Sequence, residues 1–152
     1  MASDDLSPNN LISNNHALML AQGFTECGQS DGFCQHIGPF YERTQNGEVT
    51  RALTIDNRHL NPEGVVNGGV VLSFMDYVIY RAIGDEIGHE IKFATINLNS
   101  NFLAAAKFGN TLLGHGKIVR KTRSVIFAEG LIETSDRQLM TATGIWKLIG
   151  QN

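Results

Sequence analysis

The sequence predicts an α+β fold in which one antiparallel sheet wraps around a single long buried helix, with a short helix ahead of it. Three observations predict it. Residues 67–84 (NGGVVLSFMDYVIYRAIG) pass without Pro and place apolar side chains in nearly every direction around a 3.6-residue wheel. Four strand-like runs follow, 91–104, 111–120, 125–134 and 139–148, with turn signals between them. Asn46-Gly47 divides residues 39–55 into two further strands, because that pair supplies the positive φ angles of a tight hairpin turn.

Taken in chain order, residues 1–15 are rich in Ser, Asp and Asn, which compete with regular structure, so a flexible N-terminal segment is expected there. A single domain is expected over 16–152. His16 to Gln22 is a short helix closed by Gly23, with Leu18 and Ala21 one turn apart. The long helix has Asn67 as a favourable N-cap, Val66 and Val71 placed for a hydrophobic staple, and Gly84 where a C-cap belongs. A helix apolar on all sides is expected to be surrounded by protein. In the first run after it, Ile96, Leu98 and Phe102 share one phase and Thr95, Asn97, Asn99 and Asn101 the other, the alternation of a half-buried strand. The short gaps between the last four runs suit antiparallel neighbours.

Composition narrows the function. At 152 residues with 42% hydrophobic and 18% charged, the chain can bury one ordinary core. Its net charge of -3 has the wrong sign for gripping a phosphate backbone, so no nucleic-acid partner is expected. The apolar runs fall short of the roughly 18 residues of a membrane span, and residues 1–10 hold no apolar signal core, so no membrane association and a cytoplasmic location are expected. Cys27 and Cys34, with six residues between them and no paired His, make neither a disulfide scaffold nor a zinc signature. The five histidines share no metal-ligand spacing, so no metal is expected; His59, two residues before Asn61, is a candidate for the mouth of a pocket.

The long helix carries two components that could do chemistry. Asp76 and Arg81 are its only charged side chains, and five positions put them about 140° apart, outside helical ion-pair spacing. A carboxylate among apolar residues must be compensated or used; desolvation would raise its pKa toward the working range of a base or nucleophile, while Ser73 or Tyr80 could instead satisfy it by hydrogen bonding. At the other end, Asn67-Gly68-Gly69 exposes backbone N–H groups at the positive pole of the helix dipole, with no side chain on Gly68 or Gly69 to block a carbonyl. Eight residues separate Gly68 from Asp76, about 12 Å at 1.5 Å per residue, so one carbonyl cannot touch both in the same chain. If both act on one carbon, they come from two copies of the helix across a two-fold axis, which predicts a homodimer with shared sites, alone or as a dimer of dimers.

The run His59-Leu-Asn61-Pro-Glu-Gly64-Val-Val-Asn67-Gly68-Gly69, with Asp76 seven residues after Gly69, resembles the signature of hotdog-fold acyl-CoA thioesterases, most closely the phenylacetate-pathway (PaaI-type) branch. Residues 95–104 (TINLNSNFLA) resemble that family's first long strand after the helix, and the likeness covers roughly 39–148. It implies a hotdog fold and hydrolysis of an acyl-CoA thioester. By the same resemblance the Gly68 amide polarises the thioester carbonyl, Asp76 of the partner chain acts as nucleophile or as general base on water, Asn61 positions the carbonyl or the water, and Thr95 holds that water beside the aspartate. Asn67 and Gly69 would contact the thioester. Thiolate leaves readily, so no cofactor is expected beyond coenzyme A as part of the substrate. This chain departs from the family in having Asn67 where His is usual; Asn caps a helix but carries no proton between intermediates, which counts against hydratase chemistry. A non-catalytic acyl-CoA-binding or regulatory protein of the same fold is the rival reading.

Lys117, Arg120, Lys121 and Arg123 form a basic cluster at the end of one strand and its turn. They read either as a solvated turn or as a contact for the coenzyme A phosphates, with Arg120 and Arg123 the candidates. Phe74, Tyr77, Tyr80 and Phe102 read as core or as the wall of an acyl pocket.

Overall fold

The computed structural model describes residues 7–27 and 32–150; residues 1–6, 28–31 and 151–152 lie outside the described residues. Helix α1 (Pro8–Ala21), a two-residue strand β1 (Thr25–Glu26) and a short helix α2 (Phe33–Ile37) precede the hairpin β2 (Phe40–Gln45) and β3 (Glu48–Thr54). The long helix α3 (Gly68–Ile87) follows, then β4 (Phe93–Phe102), β5 (Thr111–Lys121), β6 (Val125–Glu133) and β7 (Gln138–Leu148). The strands form one antiparallel sheet in the order β1-β2-β3-β5-β6-β7-β4. The hairpin turns where the sequence places it, with Asn46 at φ 54° and Gly47 at φ 80°.

The sheet curls onto α3 because small residues line the track of the helix. A Cβ on Gly114 or Gly116 of β5 would run into Val78 and Ala82, and one on Gly130 of β6 would run into Met75 and Ile79. Phe74, Met75, Val78, Ile79 and Ile83 are thereby fully buried against Leu112, Ile126, Ile132, Met140 and Trp146. The far half of α3 is anchored by charge: Arg51 of β3, buried, pairs with Asp85 at 2.6 Å and Glu42 at 3.5 Å, and Arg81 reaches the same Glu42 at 3.5 Å.

Four expectations are corrected. The N-terminal helix starts at Pro8, eight residues ahead of the His16 start expected from the sequence. Proline supplies the helical φ in the first turn, and the helix docks through Met19, buried with Phe24, Tyr41 and Ala52, while Leu18 faces outward. Second, α3 runs past Gly84 to Ile87 and ends at Gly88, with φ 106°. Gly84 has no cap role: its missing Cβ leaves room for the His89 ring, which folds back over it.

Third, α3 is enclosed by its own chain on one side only. Gly69 and Tyr80 are exposed and Ser73 and Asp76 half-buried, so the face they share is open. Fourth, β4 is an edge strand, paired only with β7, and its phase is interrupted by a bulge between Thr95 and Asn97. Ile96, at the bulge, is 58% exposed, and Phe102, at the strand end, is 56% exposed, rather than half-buried.

Candidate active site

The start of α3 is held by the loop before it. Asn67 sits in extended conformation, its side-chain oxygen accepting the Gly69 N–H at 2.8 Å, as an N-cap does. Its own N–H donates to the His59 carbonyl at 2.8 Å, and the Val66 N–H donates to Ala106. The Gly68 N–H has no acceptor among the described residues, leaving one donor at the positive pole of the helix unspent. Val66 and Val71 both enter the core, as a staple requires.

His59 is the centre of that loop and does not line a pocket mouth. It is buried, its Nδ1 accepts the Asp56 N–H at 3.0 Å, and its Nε2 donates to the Ile37 carbonyl at 2.7 Å. Burial holds the imidazole below its usual range, against the Ile37 hydrogen bond and the Asp56 charge, which pull it up. Arg58 completes the arrangement, donating to the Asp56 carboxylate at 2.8 Å and to the carbonyls of His36 and Gly38 at 3.0 and 2.8 Å. Burial pushes the Asp56 carboxyl up, but the Arg58 hydrogen bonds outweigh it, so the group lies below the ordinary carboxylate range. One cluster thus ties the end of α2 to the start of α3.

Asp76 lies two turns along α3 on the open face. Thr95 Oγ1 donates to its Oδ1 at 3.1 Å, beside the bulge of β4. Neither alternative partner takes that role: Ser73 donates to the Gly69 carbonyl at 2.7 Å, and Tyr80 packs on Phe93 with ring centroids 4.6 Å apart. Among the described residues no cation pairs with Asp76. Helix α2 brings Cys34 within electrostatic reach of it; burial, and then the Asp76 charge, push that thiol up.

Asn61 stands in the loop ahead of α3, its side-chain oxygen accepting the N–H groups of Glu63 at 2.9 Å and Val65 at 3.3 Å. That oxygen is spent on the turn, so the amide nitrogen is what it can offer a ligand. Arg120 and Arg123 are exposed and stand apart from the rest. Arg120 shares a row with Phe127, Ile145 and Asn97, three strand spacings from β4, roughly 14 Å at about 4.8 Å each. Within one chain the fold therefore joins Asp76 to Thr95, and Asn67 to Gly68 and Gly69, but brings neither arginine to either group. Sequence reasoning missed the His59 cluster and the placement of Cys34, because both depend on α2, which carries no periodic signal.

An antiparallel sheet curled around one long helix, with a free amide at the helix start and a carboxylate two turns on, defines a hotdog fold. The chain matches the thioesterase superfamily over residues 63–141, just over half its length, and belongs to that family. The matched segment holds Asn67, Gly68, Gly69, Asp76 and Thr95. A protein of Pseudomonas aeruginosa that bears an esterase name is 24% identical over 128 residues, covering 84% of this chain and 96% of its own. Among solved structures, a phenylacetic acid degradation-related protein of Ralstonia eutropha JMP134 that bears a thioesterase name superposes with a TM-score of 0.69 at 23% identity, covering 88% of this chain and 99% of its own. A Streptococcus pneumoniae TIGR4 thioesterase protein solved with coenzyme A gives 0.64 at 20% identity, over 85% and 98%. These likenesses establish the shared fold. No helix among the described residues is long and apolar enough to cross a membrane.

Proposed function

We propose that this protein hydrolyses acyl-CoA thioesters in a site shared by two copies of the chain. The Gly68 amide of one copy polarises the thioester carbonyl and takes the developing oxyanion, while Asp76 of the other attacks the carbon directly or activates water to do so. Coenzyme A leaves as the thiolate, and no further cofactor enters the chemistry.

The observation that carries this reading is the Asp76 carboxylate, free of any cation among the described residues and held by Thr95 on the face of α3 that its own chain leaves open. The spacing of about 12 Å along one helix makes a second copy necessary, and β4, a ten-residue edge strand beside that face, is an edge onto which it could add. Thr95 fixes the carboxylate oxygen, the remaining oxygen being free to meet water or carbonyl carbon. Asn67 holds the amide end, and the Asn61 amide nitrogen serves the carbonyl or the water. The coenzyme A bound to the pneumococcal relative supports a coenzyme A ester as substrate.

The test is thiol release from a panel of acyl-CoA esters, with light scattering on the same sample. Turnover by a dimer or larger assembly, lost in Asp76→Ala, is expected. Tight acyl-CoA binding without turnover in either form would replace the enzyme with a non-catalytic binder, and full activity in a monomer would end the shared site.

A further inference from the structure

We infer that Phe102 is a positioning residue for this reaction, walling the Gly68 amide from water so that its hydrogen bond to the oxyanion forms in an apolar surround; the inference rests on the thioesterase reading above. Phe102 ends β4 and leaves 56% of its surface exposed, although its cross-strand partner Met140 is fully buried. The ring therefore contributes little of its area to the core. It lies instead against the helix start: a Cβ built on Gly68 would stand 3.2 Å from its Cε1 and 3.4 Å from its Cζ. The loop that follows is stitched to the segment leading into α3, by the Val66 N–H to Ala106 carbonyl bond at 2.9 Å and the Val65 to Lys107 bridge. The strand end that carries the ring and the segment that leads into α3 are thus held together by backbone on both sides.

A donor aimed at developing charge acts more strongly where water is excluded, because the local dielectric falls and competing hydrogen bonds disappear. A Cβ on residue 68 would require the ring to give by a few tenths of an ångström.

The experiment compares Phe102→Ala, Phe102→Leu, Phe102→Gln and the wild type in steady-state hydrolysis of one acyl-CoA ester, with thermal unfolding and light scattering on each. Leu and Gln are similar in size and differ in wetting. A fall in kcat of about tenfold is expected for Ala and Gln, a fraction of the hundredfold or more lost with a whole oxyanion donor. KM should stay within about twofold, and Leu should retain most of the wild-type kcat. Equal kcat in Leu and Gln, or a wild-type kcat in Ala, would overturn the role of Phe102 while leaving the thioesterase reading in place. An assembly weakened in Ala alone leaves the decision with the Leu and Gln pair. Asp76→Ala run in parallel reports on the reaction itself: turnover unaffected by it sinks the underlying reading whatever Phe102 does.

Discussion

Replacing His59 with leucine tests how the start of α3 is held. The imidazole is 1% exposed and satisfies two buried backbone groups, the Asp56 N–H at 3.0 Å and the Ile37 carbonyl at 2.7 Å. Leucine fills most of the volume and satisfies neither. At about 1–3 kcal/mol for each buried group left without a partner, the variant should lose roughly 4 kcal/mol. For a chain of this size about 2–4 °C accompanies each kcal/mol, so the melting temperature should fall by roughly 10 °C. The His59 carbonyl also receives the Asn67 N–H, so loosening this loop should lower kcat in the surviving folded fraction. The assay is thermal unfolding followed by thioester hydrolysis well below the transition. His36→Leu serves as the control, being exposed and expected to shift stability by no more than about 0.5 kcal/mol. A melting temperature for His59→Leu within about 2 °C of wild type would refute the reasoning.

Thr95→Val keeps shape and removes the donor to Asp76; with a hydrogen bond to a charged group worth about 1.5–3 kcal/mol, kcat/KM should fall roughly tenfold to a hundredfold with little change in stability, read from the same thiol-release assay. Reversing charge at Arg120 and Arg123 should raise KM for acyl-CoA but not for an acyl thioester lacking the nucleotide; equal damage to both substrates would remove the phosphate contact. The pH dependence of unfolding follows from two groups whose folded values are depressed. His59 stays neutral in the fold, so its contribution is complete above about pH 6.5 and is lost as pH falls through its folded value, where the unfolded chain binds the extra proton. Asp56 behaves likewise from its ordinary value of 3.8 downward, and in His59→Leu the upper of these two declines should vanish from urea titrations run at several pH values.

What could be read from the chain beforehand was whatever rests on local pattern. The hairpin at Asn46-Gly47, the N-cap at Asn67 and the four closing strands are short-range signals, and all lie where their turn residues put them, although a bulge interrupts the alternation read in β4. The pairing of Thr95 with Asp76, nineteen residues apart, came through the family resemblance rather than through spacing. The start of α1 was hidden because the propensity of Asn and Ser argues against a helix that docking through Met19 nonetheless stabilises. Gly84 was misread because a glycine that makes room for a returning His89 ring and a glycine that caps a helix look alike in one dimension. The His59 cluster was invisible for a similar reason: its partner, the Ile37 carbonyl, lies 22 residues back on an element too short to announce itself.

The grip of Arg58 on α2 also sets which parts of the site can vary separately. One guanidinium holds the carbonyls of His36 and Gly38 and the Asp56 carboxylate, while His59 in the same turn holds Ile37 and, through its carbonyl, Asn67. The end of α2 and the start of α3, with Gly68, are therefore one mechanical unit. A side chain at Gly38, whose Cβ would stand 2.8 Å from the Cys34 carbonyl oxygen, would thus disturb both ends of this unit together.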